Sequence, residues 1–452
     1  MKKKLIHLVY ILLFLAICLT PAVGMAVLGP SEAVANELPV SKPKLVKPDG
    51  SINGKVPDQA EDYIAHRFAF RPSLVTWWAA LNSGLLHTSV QEQVILGESG
   101  WLFYASTAED YMGHCADAEL LYRGAANLRL MQEYVQSLGA EFVFTIAPNK
   151  NSLYGEYMPR EYPVGTENNA AAMEALLAEQ GVSYGNLFSA FRNTDEALYF
   201  RTDSHWNGRG AALAADAILK QGGRPTAYYE GEFLAGQPHL GDLYEMLYPA
   251  GQETEADCVP AEGFTFQYAT EPNGGNAIRF ETDCAHGEGS LVCWRDSFGI
   301  SLHPYLAQQF ADAYFTRSAE YDMTLAAERN VDMVIIELVE RELSRLWESA
   351  PKMPAPVREI RAERLESLTV QGACEEADEV LLQMTVCVEN SLTDTLAPMY
   401  IQVGDAVYEA CVFFEEGQRR CSVYVPIAAQ GEPAALITEI DGSLTAYPVV
   451  LE

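Results

Sequence analysis

The fold of the surrounding chain is decided by the stretch Leu291-Val292-Cys293-Trp294-Arg295-Asp296-Ser297-Phe298-Gly299. Its apolar beginning predicts a buried strand that ends before Ser297, and the spacing of Ile300, Leu306 and Phe310 predicts a helix just beyond it. A serine at such a strand-to-helix turn places its hydroxyl at the edge of a sheet, beside the backbone N–H groups that begin the helix. The stretch therefore predicts a nucleophile for acyl transfer.

A serine nucleophile needs a base, and the segment Asp203-Ser204-His205-Trp206 supplies one. Asp203 and His205 are two residues apart, so they share one face of an extended segment, and a turn of the backbone would bring them into contact. In this hypothesis Asp203 orients the imidazole of His205. His205 then takes the proton of Ser297 and returns it to the leaving group.

Three alternatives to this interpretation stay open. Asp203 and His205 could be half of a metal site, but no second cluster of His or Asp has ligand spacing, so neither a metal nor another cofactor is predicted. His205 could instead be a structural histidine. His303 is close to Ser297 in sequence but lies on the helix that follows, which makes it a weaker candidate for the base.

The segments around these motifs alternate between helix and strand patterns. Helix patterns cover residues 120–138, 169–180, 210–220 and 323–329, and strand patterns cover residues 141–147, 197–200, 313–316 and 331–338. This alternation predicts an α/β fold, a parallel sheet with helices on both faces. Ligands bind at the carboxyl ends of such strands, so Asn149 and Lys150 are predicted pocket residues. Residues 221–289 are expected to form a loop-rich insertion beside the site.

The N-terminal region predicts a membrane segment. Three lysines precede an almost uninterrupted apolar run that ends at Leu28, which favours an uncleaved signal anchor over residues 1–28 and places the rest of the chain outside the cytoplasm. A cleaved signal peptide, with secretion, is the alternative. Residues 29–56 are rich in Pro and Gly and predict a linker. A helix pattern over residues 61–86 follows, and its apolar side chains are expected to be core contacts.

The remaining chain divides into a body and a C-terminal domain. Residues 57–350 are expected to form the catalytic domain, whereas residues 357–452 hold short runs of β-forming residues that predict a small β-sandwich-like domain. The formal charge of -32, from 62 acidic and 30 basic residues, argues against nucleic acid as a partner. Some of the cysteines outside the membrane segment are expected to form disulfides, with Cys258 and Cys284 a favoured pair and others within the last four.

Further motifs accompany the two central ones. They are residues 67–71, 94–97, 100–104, 148–150 with Tyr154, 241–243 and 340–341. Together with Asp-x-His-Trp and Arg-Asp-Ser-Phe-Gly, they resemble the DHHW and alginate O-acetyltransferase group of SGNH-hydrolase-like proteins over about residues 57–346. Two departures stand out: Ser204 occupies the second position of the Asp-His-His-Trp motif, and the Asn block that completes the SGNH oxyanion hole is not evident.

The resemblance implies an extracytoplasmic enzyme in which Ser297 is the nucleophile, His205 the base and Asp203 its partner. In ordinary SGNH hydrolases the serine block comes first, so the resemblance also implies a circularly permuted chain. Relatives of this kind act with a membrane-bound O-acyltransferase that supplies acetyl groups for an exopolysaccharide or cell-wall glycan. We therefore expect an O-acetyltransferase with an acetyl-serine intermediate. The alternatives are a carbohydrate acetylesterase with the same triad and a non-catalytic glycan-binding scaffold.

Other parts of the expected site are assigned with less support from the motifs. The backbone N–H groups of Ser297 and Gly299 are the predicted oxyanion donors. The residues predicted to contact the substrate are Asn149, Lys150, Tyr154, Trp206, Arg317 and Arg341.

Overall fold

The computed structural model describes residues 2–32, 40–270 and 275–451. Residues 33–39 of the predicted linker and residues 271–274 of the predicted insertion lie outside the described part. The apolar N-terminal segment forms helix α1 (Lys2–Leu28). Its stretch Leu5–Leu28 is long and apolar enough to cross a membrane and is almost wholly exposed, which fits a membrane anchor or a signal segment.

The helix predicted over residues 61–86 is two helices, α2 (Val56–Arg67) and α3 (Arg71–Leu86). Phe70, between them, has a φ of 68° in the left-handed region, which breaks the helix. The expectation that the apolar side chains of this segment are core contacts is wrong for at least five of them, which are exposed: Phe70, Leu74, Trp77, Trp78 and Leu81. A helical spacing of apolar residues predicts which face of a helix is apolar, but it does not predict whether the protein core covers that face.

Among its described residues, the body of the chain between α3 and the C-terminal part contains eleven strands and ten further helices. The strands are β1 (Val94–Leu96), β2 (Leu102–Tyr104), β3 (Glu141–Ala147), β4 (Tyr184–Gly185), β5 (Phe233–Ala235), β6 (Cys258–Pro260), β7 (Gln267–Tyr268), β8 (Arg279–Asp283), β9 (Ser290–Trp294), β10 (Asp312–Thr316) and β11 (Met333–Val339). The helices are α4 (Ala108–Tyr111), α5 (Ala118–Ser137), α6 (Lys150–Leu153), α7 (Asn169–Gln180), α8 (Leu187–Arg192), α9 (Gly208–Gln221), α10 (Asp242–Leu247), α11 (Gly299–Ala307), α12 (Thr324–Glu328) and α13 (Arg345–Glu348).

The main sheet has seven strands in the order β4-β3-β11-β9-β10-β8-β7. Pairing is parallel from β4 to β10, whereas β10 with β8 and β8 with β7 are antiparallel, so the sheet is mixed and not wholly parallel as expected. The antiparallel edge comes from the segment 221–289, which contributes strands to the sheet in addition to loops. The predicted strand over residues 197–200 is reduced to an isolated bridge between Tyr199 and Trp206.

Helices cover the two faces of this sheet because strand side chains alternate between them. In β11, Ile335 packs with side chains of α9 and α11, whereas Val334 and Ile336 pack with side chains of α5 and α7. The register aligns Ala147 of β3 with Val339 of β11, and Ile336 of β11 with Trp294 of β9. The carboxyl ends of these three strands therefore meet at one edge, where the chain continues into the predicted site.

The described C-terminal part is built mainly from strands, with two short 3-10 helices, Asn390–Leu392 and Ile427–Ala429. The strands are β12 (Glu363–Arg364), β13 (Val370–Glu376), β14 (Leu381–Cys387), β15 (Tyr400–Val403), β16 (Ala406–Glu409), β17 (Cys411–Glu415), β18 (Gln418–Pro426), β19 (Ala434–Ile440) and β20 (Ser443–Leu451). All nine belong to one continuous sheet around a common core, so the domain is barrel-like and not a sandwich. Parallel pairing of β13 with β20 joins what would otherwise be two sheets.

The expected disulfides are not formed in this structure, because all nine cysteines are free thiols. Cys258 lies on β6, whereas the buried Cys284 follows β8 and donates a hydrogen bond to the carbonyl of Gln308, with a sulfur to oxygen distance of 3.5 Å. Their different environments overturn the favoured pairing.

Candidate active site

Ser297 lies in the short turn between β9 and α11, and the preceding aspartate holds this turn in shape. The buried carboxylate of Asp296 accepts a hydrogen bond from the N–H of Phe298 (2.7 Å) and another from the N–H of Val339 (2.7 Å) at the end of β11. The first bond closes the turn and the second fastens it to the neighbouring strand. Ser297 is thus fixed at the carboxyl edge of the sheet with its side chain half-buried.

Ser297, His205 and Asp203 lie in hydrogen-bonding contact. His205 Nε2 is 2.8 Å from Ser297 Oγ, and His205 Nδ1 is 2.7 Å from Asp203 Oδ1. The backbone N–H of His205 also donates to Asp203 Oδ1, at 2.8 Å. This last bond bends the backbone and brings together two side chains that an extended segment would hold apart.

The second oxygen of Asp203 is also occupied. Asp203 Oδ2 accepts hydrogen bonds from His239 Nε2 (2.8 Å) and from the N–H of Asp242 (2.9 Å). Burial raises the pKa of Asp203, but the hydrogen bonds from His205 and His239 outweigh it and hold the pKa well below its usual range. The carboxylate is therefore ionised at neutral pH.

The ionised carboxylate determines the state of His205. Burial lowers the pKa of the imidazole, but the hydrogen bond and negative charge of Asp203 outweigh this and raise the pKa above its ordinary 6.5. In the neutral imidazole, Nδ1–H donates to Asp203 and leaves the Nε2 lone pair facing the hydroxyl of Ser297. This tautomer can take a proton from the serine.

Asp242 and Ser204 form the next layer. The hydroxyl of Ser204 donates to Asp242 Oδ2 (2.5 Å), and its N–H donates to Asp242 Oδ1 (2.7 Å). Asp242 Oδ2 is also 3.5 Å from His205 Nδ1. Burial, together with the negative charge of Asp203, raises the pKa of Asp242.

Asp203, His205 and Asp242 are also the residues that could hold a metal ion, since one donor atom of each lies within 4.8 Å of the others. His205 Nδ1 and Asp203 Oδ1 are bonded to each other, however, and His205 Nε2 faces Ser297. The arrangement is thus suited to proton transfer at the serine hydroxyl.

The predicted oxyanion donors lie at the start of α11. Within the described ranges, the backbone N–H groups of Ser297 and Gly299 have no hydrogen-bond acceptor. A Cβ atom at position 299 would overlap the side chain of Arg295, so glycine is required for the close packing at this helix start.

The position of Lys150 corrects its predicted contact with substrate. Its ammonium group is buried and donates to the carbonyls of Phe200 (3.2 Å), Arg201 (3.0 Å) and Asp203 (2.6 Å). Burial lowers the pKa of Lys150 to about 7. The lysine fastens the loop that carries Asp203 to the end of β3, and it has no N–H group left for a substrate.

Asn149, Tyr154 and Trp206 also make contacts within the protein, and their contact with substrate stays a prediction. Asn149 is buried. Its backbone N–H donates to Glu340 Oε2 (2.7 Å), whereas its side-chain Oδ1 has no hydrogen-bond partner among the described residues. The hydroxyl of Tyr154 accepts a hydrogen bond from the N–H of Leu198 (2.8 Å). The indole of Trp206 is buried and donates to Ser301 Oγ (2.7 Å).

The two predicted arginines differ in position. The Arg341 guanidinium lies over the rings of Tyr104 and Phe298, 5.5 Å from each centroid, and its charge acts against protonation of His205. It therefore stays a candidate for binding an anionic or polar group. Arg317 is half-buried after β10. Burial lowers the pKa of Arg295, and the positive charge of Arg317 lowers it further.

His239 is the residue of this site that sequence reasoning missed. It lies 36 residues beyond Asp203, in the loop before α10, and no spacing or motif links the two. The motif at residues 241–243 predicts no role of its own, whereas in the structure Asp242 donates its N–H to Asp203 and accepts hydrogen bonds from Ser204. His303, the weaker candidate for the base, is buried away from the serine between Tyr268 and the carbonyl of Ile300, and burial lowers its pKa to about 4.

The fold and the site point to an SGNH hydrolase-like protein, and comparison with known proteins agrees. Residues 94–276 match the family described as SGNH hydrolase-like domain, acetyltransferase AlgX. The matched span contains Asp203, His205 and Asp242 and ends before Ser297. The resemblance found in the sequence is confirmed: residues 94–276 are similar to the SGNH hydrolase-like domain of acetyltransferase AlgX, and the chain is similar to AlgJ proteins.

The chain is also similar to individual proteins, one known from its sequence and two from solved structures. A probable alginate O-acetylase AlgJ of Pseudomonas putida is 26% identical over 234 residues, which are 47% of this chain and 60% of the relative. The match thus spans about three fifths of that curated protein. The O-acetyltransferase domain of Pseudomonas putida AlgJ is 20% identical, with a TM-score of 0.38 over 56% of this chain and 92% of that one. Bacillus cereus PatB1 with a sulfonyl adduct is 16% identical, with a TM-score of 0.43 over 55% and 95%.

Proposed function

We propose that this protein is an extracytoplasmic O-acetyltransferase that transfers acetyl groups to hydroxyls of a polysaccharide. The observation that carries the proposal is the contact of His205 Nε2 with Ser297 Oγ at 2.8 Å, in line with the ionised Asp203. The family match and the AlgJ relatives support acetyl transfer as the reaction. An exopolysaccharide or cell-wall glycan is the proposed acceptor class.

The first half of the proposed reaction loads the serine. Ser297 Oγ attacks the carbonyl carbon of the acetyl donor while its proton moves to His205 Nε2. The N–H groups of Ser297 and Gly299 donate to the oxyanion that forms. His205 then returns the proton to the leaving group, and the acetyl group is held on Ser297 as an ester.

The second half of the proposed reaction transfers the acetyl group from Ser297 to the glycan. A glycan hydroxyl gives its proton to His205 Nε2 and attacks the acetyl ester, and the proton then returns to Ser297 Oγ as the ester bond breaks. Throughout, Asp203 keeps the imidazole in the tautomer that presents Nε2 to the serine and stabilises the charged form. Water in place of the glycan hydroxyl would make the same site an acetylesterase.

We place the catalytic body outside the cytoplasm, anchored by α1. Gly24 of α1 is buried against the body: a Cβ atom there would lie 2.7 Å from Ala69 Cβ. This packing supports a retained anchor over a cleaved signal peptide, because cleavage would remove part of a formed contact.

A membrane-bound O-acyltransferase is the proposed source of the acetyl group. Residues 57–350 are the proposed catalytic domain, and residues 357–452 are a companion domain.

The test measures release of p-nitrophenol from p-nitrophenyl acetate by the full chain, with and without short oligosaccharide acceptors. Ser297→Ala and His205→Ala are compared with Ser301→Ala, a serine one turn along α11 whose side chain contacts Trp206. We expect both site variants to lose release, Ser301→Ala to keep most of it, and acceptors to increase it with an acetylated sugar as product. Release without a sugar product would favour the esterase, and equal release by Ser297→Ala would overturn the proposal.

A further inference from the structure

The outer face of α3 is a continuous apolar surface. Its exposed side chains follow helical spacing along one side, and we call them the α3 stripe: Leu74, Trp77, Trp78, Leu81 and Leu85. Trp77 is 65% exposed and Trp78 is 53% exposed. A stripe of this size is several hundred Å² of apolar area by rough count, which is enough to mark an interaction surface.

The orientation of the stripe is fixed by the opposite side of the same helix. Ala79 is fully buried there and packs in a small core with Leu243 and Leu247 of α10. Because the inner face is held by the body, α3 cannot turn its tryptophans inward without breaking this core. The α3 stripe therefore points away from the protein.

The start of α3 is held at the outer end of α1. Gly24 packs against Ala69 and Phe70, and a Cβ atom at Gly24 would lie 2.7 Å from the Phe70 ring. Ser31 and Arg67 exchange two hydrogen bonds: the Ser31 N–H donates to the Arg67 carbonyl (3.0 Å), and Arg67 Nε–H donates to the Ser31 carbonyl (2.7 Å). The junction of α2 and α3 is thus attached where α1 ends.

The length of α1 places this junction at the membrane surface. At 1.5 Å per residue, the helix from Leu5 to Gly24 is about 30 Å long, the thickness of the hydrocarbon core. Since Gly24 contacts Phe70, α3 begins at the outer boundary of that core. Tryptophan is favoured at this boundary, because its ring is apolar and its N–H is polar.

The charge of α3 agrees with a lipid partner. The helix contains no acidic residue in its 16 positions, although the chain as a whole has 62. Acidic side chains would resist burial among lipid headgroups and acyl chains. An apolar stripe without negative charge, fixed beside a membrane helix, meets the requirements of an interfacial helix.

We propose that the α3 stripe lies in the headgroup and acyl boundary of the membrane that α1 spans. The proposal rests on the part of the proposed function in which α1 anchors the protein in the membrane, and it does not depend on the acyl-transfer chemistry. It has a consequence for the site, because α10, packed on the inner face of α3, begins with Asp242, whose N–H donates to Asp203. Bilayer contact would hold the catalytic loop about one helix diameter, roughly 10 Å, above the stripe.

Intrinsic fluorescence offers a direct test, because four of the six tryptophans are buried. The full chain is reconstituted into phosphatidylcholine vesicles with or without bromine near the top of the acyl chains, which quenches tryptophan at that depth. We expect brominated lipid to remove the share of emission contributed by Trp77 and Trp78. The variant with Trp77→Phe and Trp78→Phe should lose this quenching and keep its release of p-nitrophenol.

A matched control places a tryptophan on the far domain. Val380→Trp, at a position 65% exposed, is added to the double phenylalanine variant and should show no quenching by the same lipid. Absence of quenching at Trp77 and Trp78 in vesicle-bound protein would overturn the proposal and leave a protein partner as the cover for the stripe. Protein that does not stay with the vesicles would overturn both the stripe and the anchor. The chemistry is judged separately, by the Ser297→Ala comparison.

Discussion

The carboxyl edge of the main sheet and the C-terminal barrel bury very different side chains. At the sheet edge the buried charged residues are Lys150, Asp203, Arg295, Asp296, Glu337 and Glu340. The barrel core is apolar. The two buried charged residues among its described positions, Glu409 and Arg419, bond to residues of α5 in the main body. The first region fixes the positions of polar groups, whereas the second fills space and joins two domains.

The pKa shifts follow this division. Burial and the charge of Asp296 raise the pKa of Glu337 well above its usual range, and burial with the charge of Asp110 raises that of Glu340 to about 8. Burial of these carboxyl groups opposes folding. They hold neighbouring backbone in place: Glu337 accepts a hydrogen bond from the N–H of Asp296, and Glu340 accepts one from the N–H of Asn149. At the domain junction, Arg358 donates hydrogen bonds to the carboxylates of Glu133 and Glu409, and these bonds raise its pKa, which is the sign of a stabilising ion pair.

The largest predicted difference comes from the same isosteric change in each region. Asp203→Asn should lower kcat/KM for p-nitrophenyl acetate by about 10³-fold to 10⁴-fold, because the amide cannot stabilise the charged imidazole or fix its tautomer. Glu409→Gln should keep the wild-type kcat/KM and lower the free energy of unfolding by about 1–3 kcal/mol, since it weakens the bonds to Arg129 and Arg358. Urea unfolding and initial rates measure the two effects. Equal loss of activity in both variants would contradict the view that the sheet edge serves catalysis and the domain junction serves stability.

A second pair of variants, Lys150→Met and Lys352→Met, compares a buried lysine at the sheet edge with a lysine at the surface, and the expected effect on kcat is of intermediate size. Lys150→Met should lower kcat by about 10-fold to 100-fold with little change in KM, because the Asp203 loop loses its attachment while the substrate loses no contact. Lys352→Met removes a lysine at the surface that pairs with Asp378, and its kinetics should stay unchanged. A rise in KM without a fall in kcat would return Lys150 to its predicted role in binding substrate.

The smallest predicted effect concerns pH. The rate requires neutral His205, so kcat/KM should fall as the pH drops through its raised pKa, above 6.5. His239→Ala removes one donor from Asp203, which then pulls more strongly on the proton of His205. The acidic limb of the pH profile should move up by about 0.5–1 unit, and less in His239→Gln, which keeps a donor. An unchanged limb, as expected for the exposed His286→Ala, would mean that His239 is only structural.

Much of the fold could be predicted because its signals are local. Strand β3 and helix α7 occupy the predicted residues 141–147 and 169–180, and Asn207 caps α9 by accepting hydrogen bonds from two N–H groups. Long-range pairing left no such signal: β8 and β7 lie in a segment expected to be loops, and their place beside β10 is set by the fold.

The site divides in the same way. The motifs predict Asp203, His205 and Ser297, and the structure brings them within hydrogen-bonding distance of one another, whereas their catalytic roles stay a prediction. The function of Lys150 could not be predicted, because a lysine after a strand looks the same whether it faces solvent or three carbonyls. His239 had no motif, and Trp77 with Trp78 followed a core pattern, since the spacing of apolar residues does not distinguish a protein core from a lipid surface.

Covalent acetylation of Ser297 tests the central claim most directly. The full chain is mixed with p-nitrophenyl acetate, quenched in acid within the first turnover, digested and examined by peptide mass spectrometry. We predict one acetyl group on the hydroxyl of Ser297 in the wild type and in Glu409→Gln, and none at that peptide in Ser297→Ala or His205→Ala. Turnover without acetyl-Ser297, or acetylation that persists in His205→Ala at the wild-type rate, would contradict the proposed mechanism.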